Sequence, residues 1–234
     1  MRTIVLGMCL SVGLASAPSL RAAPLLFNYT SGTGSTSSSV GNSIVRSNGT
    51  EIVTATAWDA VGTGMFAAAA LDDYAGTNLG LGVCTLAQLL SNCNPPYHEV
   101  NDSGRYDFVL FSFSQPASSV TIVINPVCDC NTDATYYVNT GSPSGKPLLQ
   151  LGTATNSNET TKDTQRTITI SGLGGATSIL FGASTSGDDN FFKIGSLSVT
   201  EGTVPEPATF GLAGIALVGL GLMGRRRKSR ASAR

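Results

Sequence analysis

The chain has 234 residues, with 14 Lys and Arg against 15 Asp and Glu and a formal net charge of −1. Only 12% of residues are charged and 41% are hydrophobic. A charged fraction near half the usual ~25% excludes a disordered charged tail and argues against a cytosolic helical enzyme. The charges are also segregated: Arg225, Arg226, Arg227, Lys228, Arg230 and Arg234 crowd the C-terminus, and Arg2 and Arg21 lie in an apolar N-terminal stretch. Residues 24–207 therefore carry about −9, too acidic to neutralise phosphates, and no nucleic-acid partner is expected.

Met1-Arg2-Thr3 precedes an uncharged run from Ile4 to Leu14 and the small residues Ala15-Ser16-Ala17. This order spells a secretory signal peptide over residues 1–22, with Ala17, Ala22 and Ala23 as cleavage positions. The apolar run falls short of the ~20 residues that cross a bilayer. Signal peptidase and the secretion machinery are the partners implied. Cys9 follows Met8 rather than a small residue, which argues against a lipid anchor.

Residues 23–203 form the body. Residues 31–43, rich in Ser, Thr and Gly, read as a loop or a weak first strand. Strands are expected at 51–58, then at 106–113 and 120–124, separated by a turn at Gln115-Pro116. Further strands are expected at 134–139, 147–152, 166–170, 178–181 and 191–199. Turn residues recur between them, at Gly141 to Gly145, Gly172-Leu173-Gly174-Gly175 and Ser186 to Asn190. Helical candidates are Thr85 to Leu90 and the Ala-rich run Phe66 to Leu71. About eight strands at this spacing predict an all-β fold, an antiparallel β-sandwich of the jelly-roll kind.

Without the signal peptide four cysteines remain, Cys84, Cys93, Cys128 and Cys130. An even count in an exported chain predicts two disulfides. Cys84–Cys93 with Cys128–Cys130 is the favoured pairing, and crossed pairing is the alternative. A zinc site from these thiols and His98 is the runner-up, against which the Cys-x-Cys spacing stands. No metal or cofactor is expected. Were calcium bound in the acidic loops, Asp102, Asp188 and Asp189 are the carboxylates that would take it.

Signals for catalysis are thin. His98 is the one histidine, and no Gly-x-Ser-x-Gly elbow supplies a nucleophile. Asp72-Asp73, Asp102, Asp107 and Asp188-Asp189 offer carboxylates that a hydrolase would need in facing pairs, but the sequence ranks none of them. No catalytic residue is assigned. Trp58, the single tryptophan, and His98 are the candidates for ligand contact.

The tail has three parts. Val204-Pro205-Glu206-Pro207 is followed by an apolar segment over 208–224 and a basic cluster over 225–230. Its apolar length sits at the short edge of a transmembrane helix, and the basic cluster would remain cytoplasmic. This tripartite tail resembles the PEP-CTERM sorting domain of exopolysaccharide-producing bacteria. The resemblance implies an exosortase as partner, with Pro205, Glu206 and Pro207 as the residues it recognises. Two prolines hold that stretch extended, as a protease binds its substrate.

Gly80-Leu81-Gly82-Val83, His98-Glu99-Val100-Asn101-Asp102 and Asp107 before an apolar strand are similar to a body domain common among PEP-CTERM proteins. That likeness implies a β-sandwich. Together these readings predict a non-enzymatic, structural or adhesive protein. It is exported, held briefly in the membrane by its tail, then placed at the cell surface or in the exopolysaccharide matrix. The alternatives are a secreted hydrolase using carboxylates or His98, and an unprocessed surface protein anchored by a single span.

Overall fold

A computed structural model describes residues 23–30, 39–60, 64–74, 80–85, 99–158, 164–185 and 190–202. Twelve strands join there in one antiparallel hydrogen-bonded sheet, with no α-helix among the described residues. No helix among them is long and apolar enough to cross a membrane. The signal peptide expected over 1–22 and the tail expected over 204–230 lie outside the described residues, as do Cys93, His98, Asp188 and Asp189.

Two long strands organise the sheet, β8 (Tyr106–Pro126) and β11 (Arg166–Ala183). The first half of β8 pairs with β3 (Glu51–Ala60) and with the second half of β11. Its second half pairs with the first half of β11 and with β12 (Phe191–Glu201).

The turn expected at Gln115-Pro116 is not formed. The chain bulges there and continues in the ladder, because the buried Glu51 carboxylate takes over the local donors. Its Oε1 accepts from the Ser114 N–H (2.8 Å), the Ser114 hydroxyl (3.1 Å) and the Gln115 N–H (3.3 Å). Pro116 has no N–H to lose and fits a bulge without cost. Gly172 to Gly175 likewise make a bulge in β11 rather than a turn. Gly172, Gly174 and Gly175 sit at φ +70°, +60° and +86°, and the register passes from Ser171↔Ser119 to Ala176↔Ala117.

On the opposite edge of β12 from β8 lie β7 (Val100–Asn101), β6 (Gly80–Cys84) and β1 (Leu25–Asn28). β5 (Ala70–Tyr74) extends β6, and β2 (Ser43–Asn48) and β4 (Phe66–Ala68) flank β3. The Ala-rich run Phe66 to Leu71, expected as helix, is thus divided between two strands. Alanine's helix preference is a few tenths of a kcal/mol per residue, and ladder pairing overrides it. Of the helix expected from Thr85 to Leu90 only Thr85 is described, and it is not helical.

Side chains alternate across these strands. Val109, Phe111, Ile179 and Phe181 face one way and join Val120, Ile122, Ile168, Leu197 and Phe192 in the main core. Phe108, Leu110 and Leu180 face the other way and gather Ala60, Phe66, Tyr137 and Leu151. Residues 147–152, expected as a strand, instead hold a 3-10 helix at Leu148–Gln150. Pro147 cannot donate to a ladder, and the segment forms a strap over this second cluster, bridged at Met65↔Pro147. The remaining strands, β9 (Ala134–Val138) and β10 (Thr155–Ser157), extend the sheet beyond β11.

Candidate functional site

Charged side chains inside the body gather where β3, β5, β7, β8 and β12 come together. Asp59 and Asp107 are register partners on β3 and β8. Asp59 is bound by Arg105, whose Nε donates to Oδ1 (3.0 Å) and whose terminal nitrogen lies 2.8 Å from Oδ2. Burial still raises the Asp59 carboxyl above the usual range, and Arg105 opposes the rise.

Asp107 is wholly buried, and neither carboxyl oxygen has a hydrogen-bond partner. Burial pushes it well above the ordinary carboxylate range, and the charge of Asp59 pushes it further. The Asn101 amide and Arg105 pull the other way, and the amide stays outside hydrogen-bond geometry. Burial and the neighbouring Asp59 thus both disfavour the charged form of Asp107.

Glu99 and Lys193 form the second half of the cluster. Burial pushes the Glu99 carboxyl up to about 7, against the pull of Lys193. Burial lowers the Lys193 ammonium, against the pull of Glu99 and Asp72. Asp73, the neighbour of Asp72, pairs with Arg46, whose guanidinium also lies 5.9 Å from the centre of the buried Tyr29 ring.

Asp102 is committed to Asn190. Its Oδ1 accepts from the Asn190 N–H (3.0 Å) and its Oδ2 from Asn190 Nδ2 (2.6 Å). Asn190 Oδ1 in turn accepts from the Asp133 N–H (2.9 Å). Both Asp102 oxygens thus bind the protein itself, and no group of three or more His, Cys, Asp or Glu among the described residues is placed to hold a metal. Cys128 and Cys130 are joined in a disulfide, with Cα atoms 5.0 Å apart. Cys84 is also oxidised.

Trp58 is half-buried, not a free platform. It packs against the second cluster and its indole N–H donates to Thr56 Oγ1 (3.0 Å). The structure brings Asp72 and Asp107 into one region with Arg105, Glu99 and Lys193, which sequence reading left unassigned. Lys193 carried a usable signal, as a lone charge inside Phe191-Phe192-Lys193-Ile194.

The body is thus an all-β unit with several buried ionisable groups, and it leads at Gly202 into a C-terminal targeting tail. Residues 203–228 match the PEP-CTERM protein-sorting motif. The chain carries that motif and is an exosortase-targeted, exported protein. No curated protein matches the chain.

Proposed function

We propose that this is a non-enzymatic protein of the cell surface or extracellular matrix, its role structural or adhesive and its setting the exopolysaccharide. Its body is a β-sandwich of the jelly-roll kind, like the body domain common among PEP-CTERM proteins. Bends at the two bulges would fold one continuous sheet over the main core.

The observation that carries this reading is the use made of the carboxylates. Asp59 is bound to Arg105, Asp102 to Asn190, and Asp107 is sealed from solvent. A glycoside hydrolase needs two carboxyl groups facing an open cleft. These groups stiffen the fold instead. Exposed Thr, Ser and Asn side chains suit hydrogen bonding to a hydrated glycan.

Intact mass of protein recovered from the cell surface and medium tests the sorting part. A C-terminus near Pro207 supports processing by the exosortase at Pro205-Glu206-Pro207, and a chain still ending at Arg234 makes it an unprocessed anchored protein. Retention on purified exopolysaccharide without turnover supports the adhesive role. Release of reducing ends, abolished in a His98 or Asp variant, would replace it with the hydrolase.

A further inference from the structure

Cys128 and Cys130 lie just past the end of β8, where residues 127–131 carry the chain toward β9. Cys128 and Asp129 are exposed and Cys130 is half-buried, so the bridge sits at the surface. The oxidised Cys84, by contrast, is 0% exposed. The body thus holds oxidised sulfur in two settings, one sealed and one open to solvent.

The open bridge does little to hold the chain in place. Both ends of its loop are already tied to one residue of β12. The Val127 N–H donates to the Phe191 carbonyl (3.3 Å), and the Phe191 N–H donates to the Asn131 carbonyl (3.0 Å). The residues that follow are fastened separately. Arg166 Nη1 donates to the Thr132 carbonyl (2.5 Å), the Asp133 N–H to Asn190 Oδ1 (2.9 Å), and the Ser184 N–H to the Asp133 carbonyl (2.9 Å). The loop is therefore closed at its base whether or not the sulfurs are joined. A bridge across a single residue also removes little freedom from the unfolded chain. Structural disulfides resist thiols because the fold favours their closed form, and an exposed bridge that the fold does not need lacks that protection.

We propose that Cys128–Cys130 is an exchangeable disulfide that oxidises small thiols at the protein surface. The thiolate of a first thiol attacks Cys128 Sγ, the more exposed sulfur. A mixed disulfide forms, the Cys128–Cys130 bond breaks, and Cys130 leaves as a thiolate that takes up the proton the thiol shed. A second thiolate then attacks the small molecule's sulfur in the mixed disulfide. Cys128 leaves and is protonated in its turn, and a small disulfide is released. Two thiols and one bridge become one disulfide and two cysteine thiols, with two electrons passing to the protein. The same steps in reverse restore the bridge from a small disulfide. The exchange is stoichiometric and does not depend on the surface role proposed above.

The test titrates the mature, oxidised protein recovered from cells with cysteine, under argon at neutral pH and without denaturant. Samples are quenched with N-ethylmaleimide and mapped with trypsin, which cuts at Arg105 and so separates Cys84 from Cys128 and Cys130. The expected result is labelling of Cys128 and Cys130 at a cysteine concentration about tenfold or more below that which labels Cys84. At that point one cystine should have appeared per chain, and the cooperative unfolding transition should remain. The double variant Cys128→Ser/Cys130→Ser should fold and yield no cystine. Labelling of Cys84 in parallel with Cys128, or labelling only once the protein unfolds, overturns the proposal. So does cysteine that stops as a lasting adduct on Cys128 without cystine release. A double variant that fails to fold makes the bridge a structural staple and overturns it as well.

Discussion

Asp59 and Asp107 face each other across β3 and β8, and Arg105 binds the first through two contacts while neither oxygen of the second has a hydrogen-bond partner. Two like charges at ladder distance repel, and the charge of Asp59 adds to burial in raising the Asp107 carboxyl. Arg105→Ala should therefore leave Asp59, 3% exposed, without its cation. The Arg105 side chain is itself 31% exposed, so the expected loss is about 1–3 kcal/mol in urea unfolding. Asp107→Asn should cost little or raise stability at neutral pH, because it removes a carboxyl whose charged form burial and Asp59 both disfavour.

The buried carboxyl groups set a pH dependence with a definite sign. Glu99 is raised to about 7 in the folded state, so folding binds its proton more tightly than the unfolded chain does. Its contribution is full below the unfolded value near 4.5 and is lost as pH rises through about 7. Asp59, Asp73 and Asp107, all raised, act in the same direction. The expected result is a higher Tm at pH 5 than at pH 8. In Glu99→Gln the same scan should be flatter between those values. A Tm that climbs steadily from pH 5 to pH 8 would contradict the assignment.

Gly182 cannot accept a side chain. A Cβ there would lie 2.2 Å from the Asp107 carbonyl oxygen and 2.5 Å from the Phe108 ring. The first neighbour is backbone and cannot rotate away. Gly182→Ala should destabilise by about 1–3 kcal/mol or more, the range for overpacked cores, measured by denaturant unfolding.

Glu51 makes β8 bend without leaving the ladder. Glu51→Ala would strand the amides of Ser114 and Gln115, and the expected loss is about 1–3 kcal/mol. Exchange with solvent deuterium should speed up at Ser114 and Gln115 and stay unchanged at Ile168 to Ile170. Uniform acceleration across β11 would show that the carboxylate supports the whole sheet instead.

The Cys128–Cys130 bridge closes a very short loop. Loop entropy for so few residues is small, on the order of 1.5 kcal/mol. Replacing both with Ser should lower Tm only modestly, and the fold should persist.

Much of the strand inventory was legible because Glu51 to Trp58 and Thr167 to Ile170 carry the period-two pattern of a half-buried strand. The bulges were not, because Gly and Pro punctuate turns and bulges alike. What decides between them at Ser114 is Glu51, which lies 63 residues away in sequence. The same distance hid Asp102, whose partner Asn190 is 88 residues on. Residues 147–152 look strand-like in composition, yet Pro147 and the second apolar cluster turn them into a strap. The sorting tail was readable because its order of motif, apolar run and basic cluster is local.

The end of the body is clamped to its last residue. The Gly202 N–H donates to the Pro116 carbonyl (2.6 Å), and the Ser118 hydroxyl donates to the carbonyls of Thr200 (3.1 Å) and Glu201 (3.2 Å). One residue later the sorting motif begins. Tension on a tether attached there would run straight into β12, which is bonded to β8 on one side and to β1, β6 and β7 on the other. The load would act along the strand and stress its hydrogen bonds in parallel, rather than peel them open one after another. A pull on the tail would then be shared among several ladders at once.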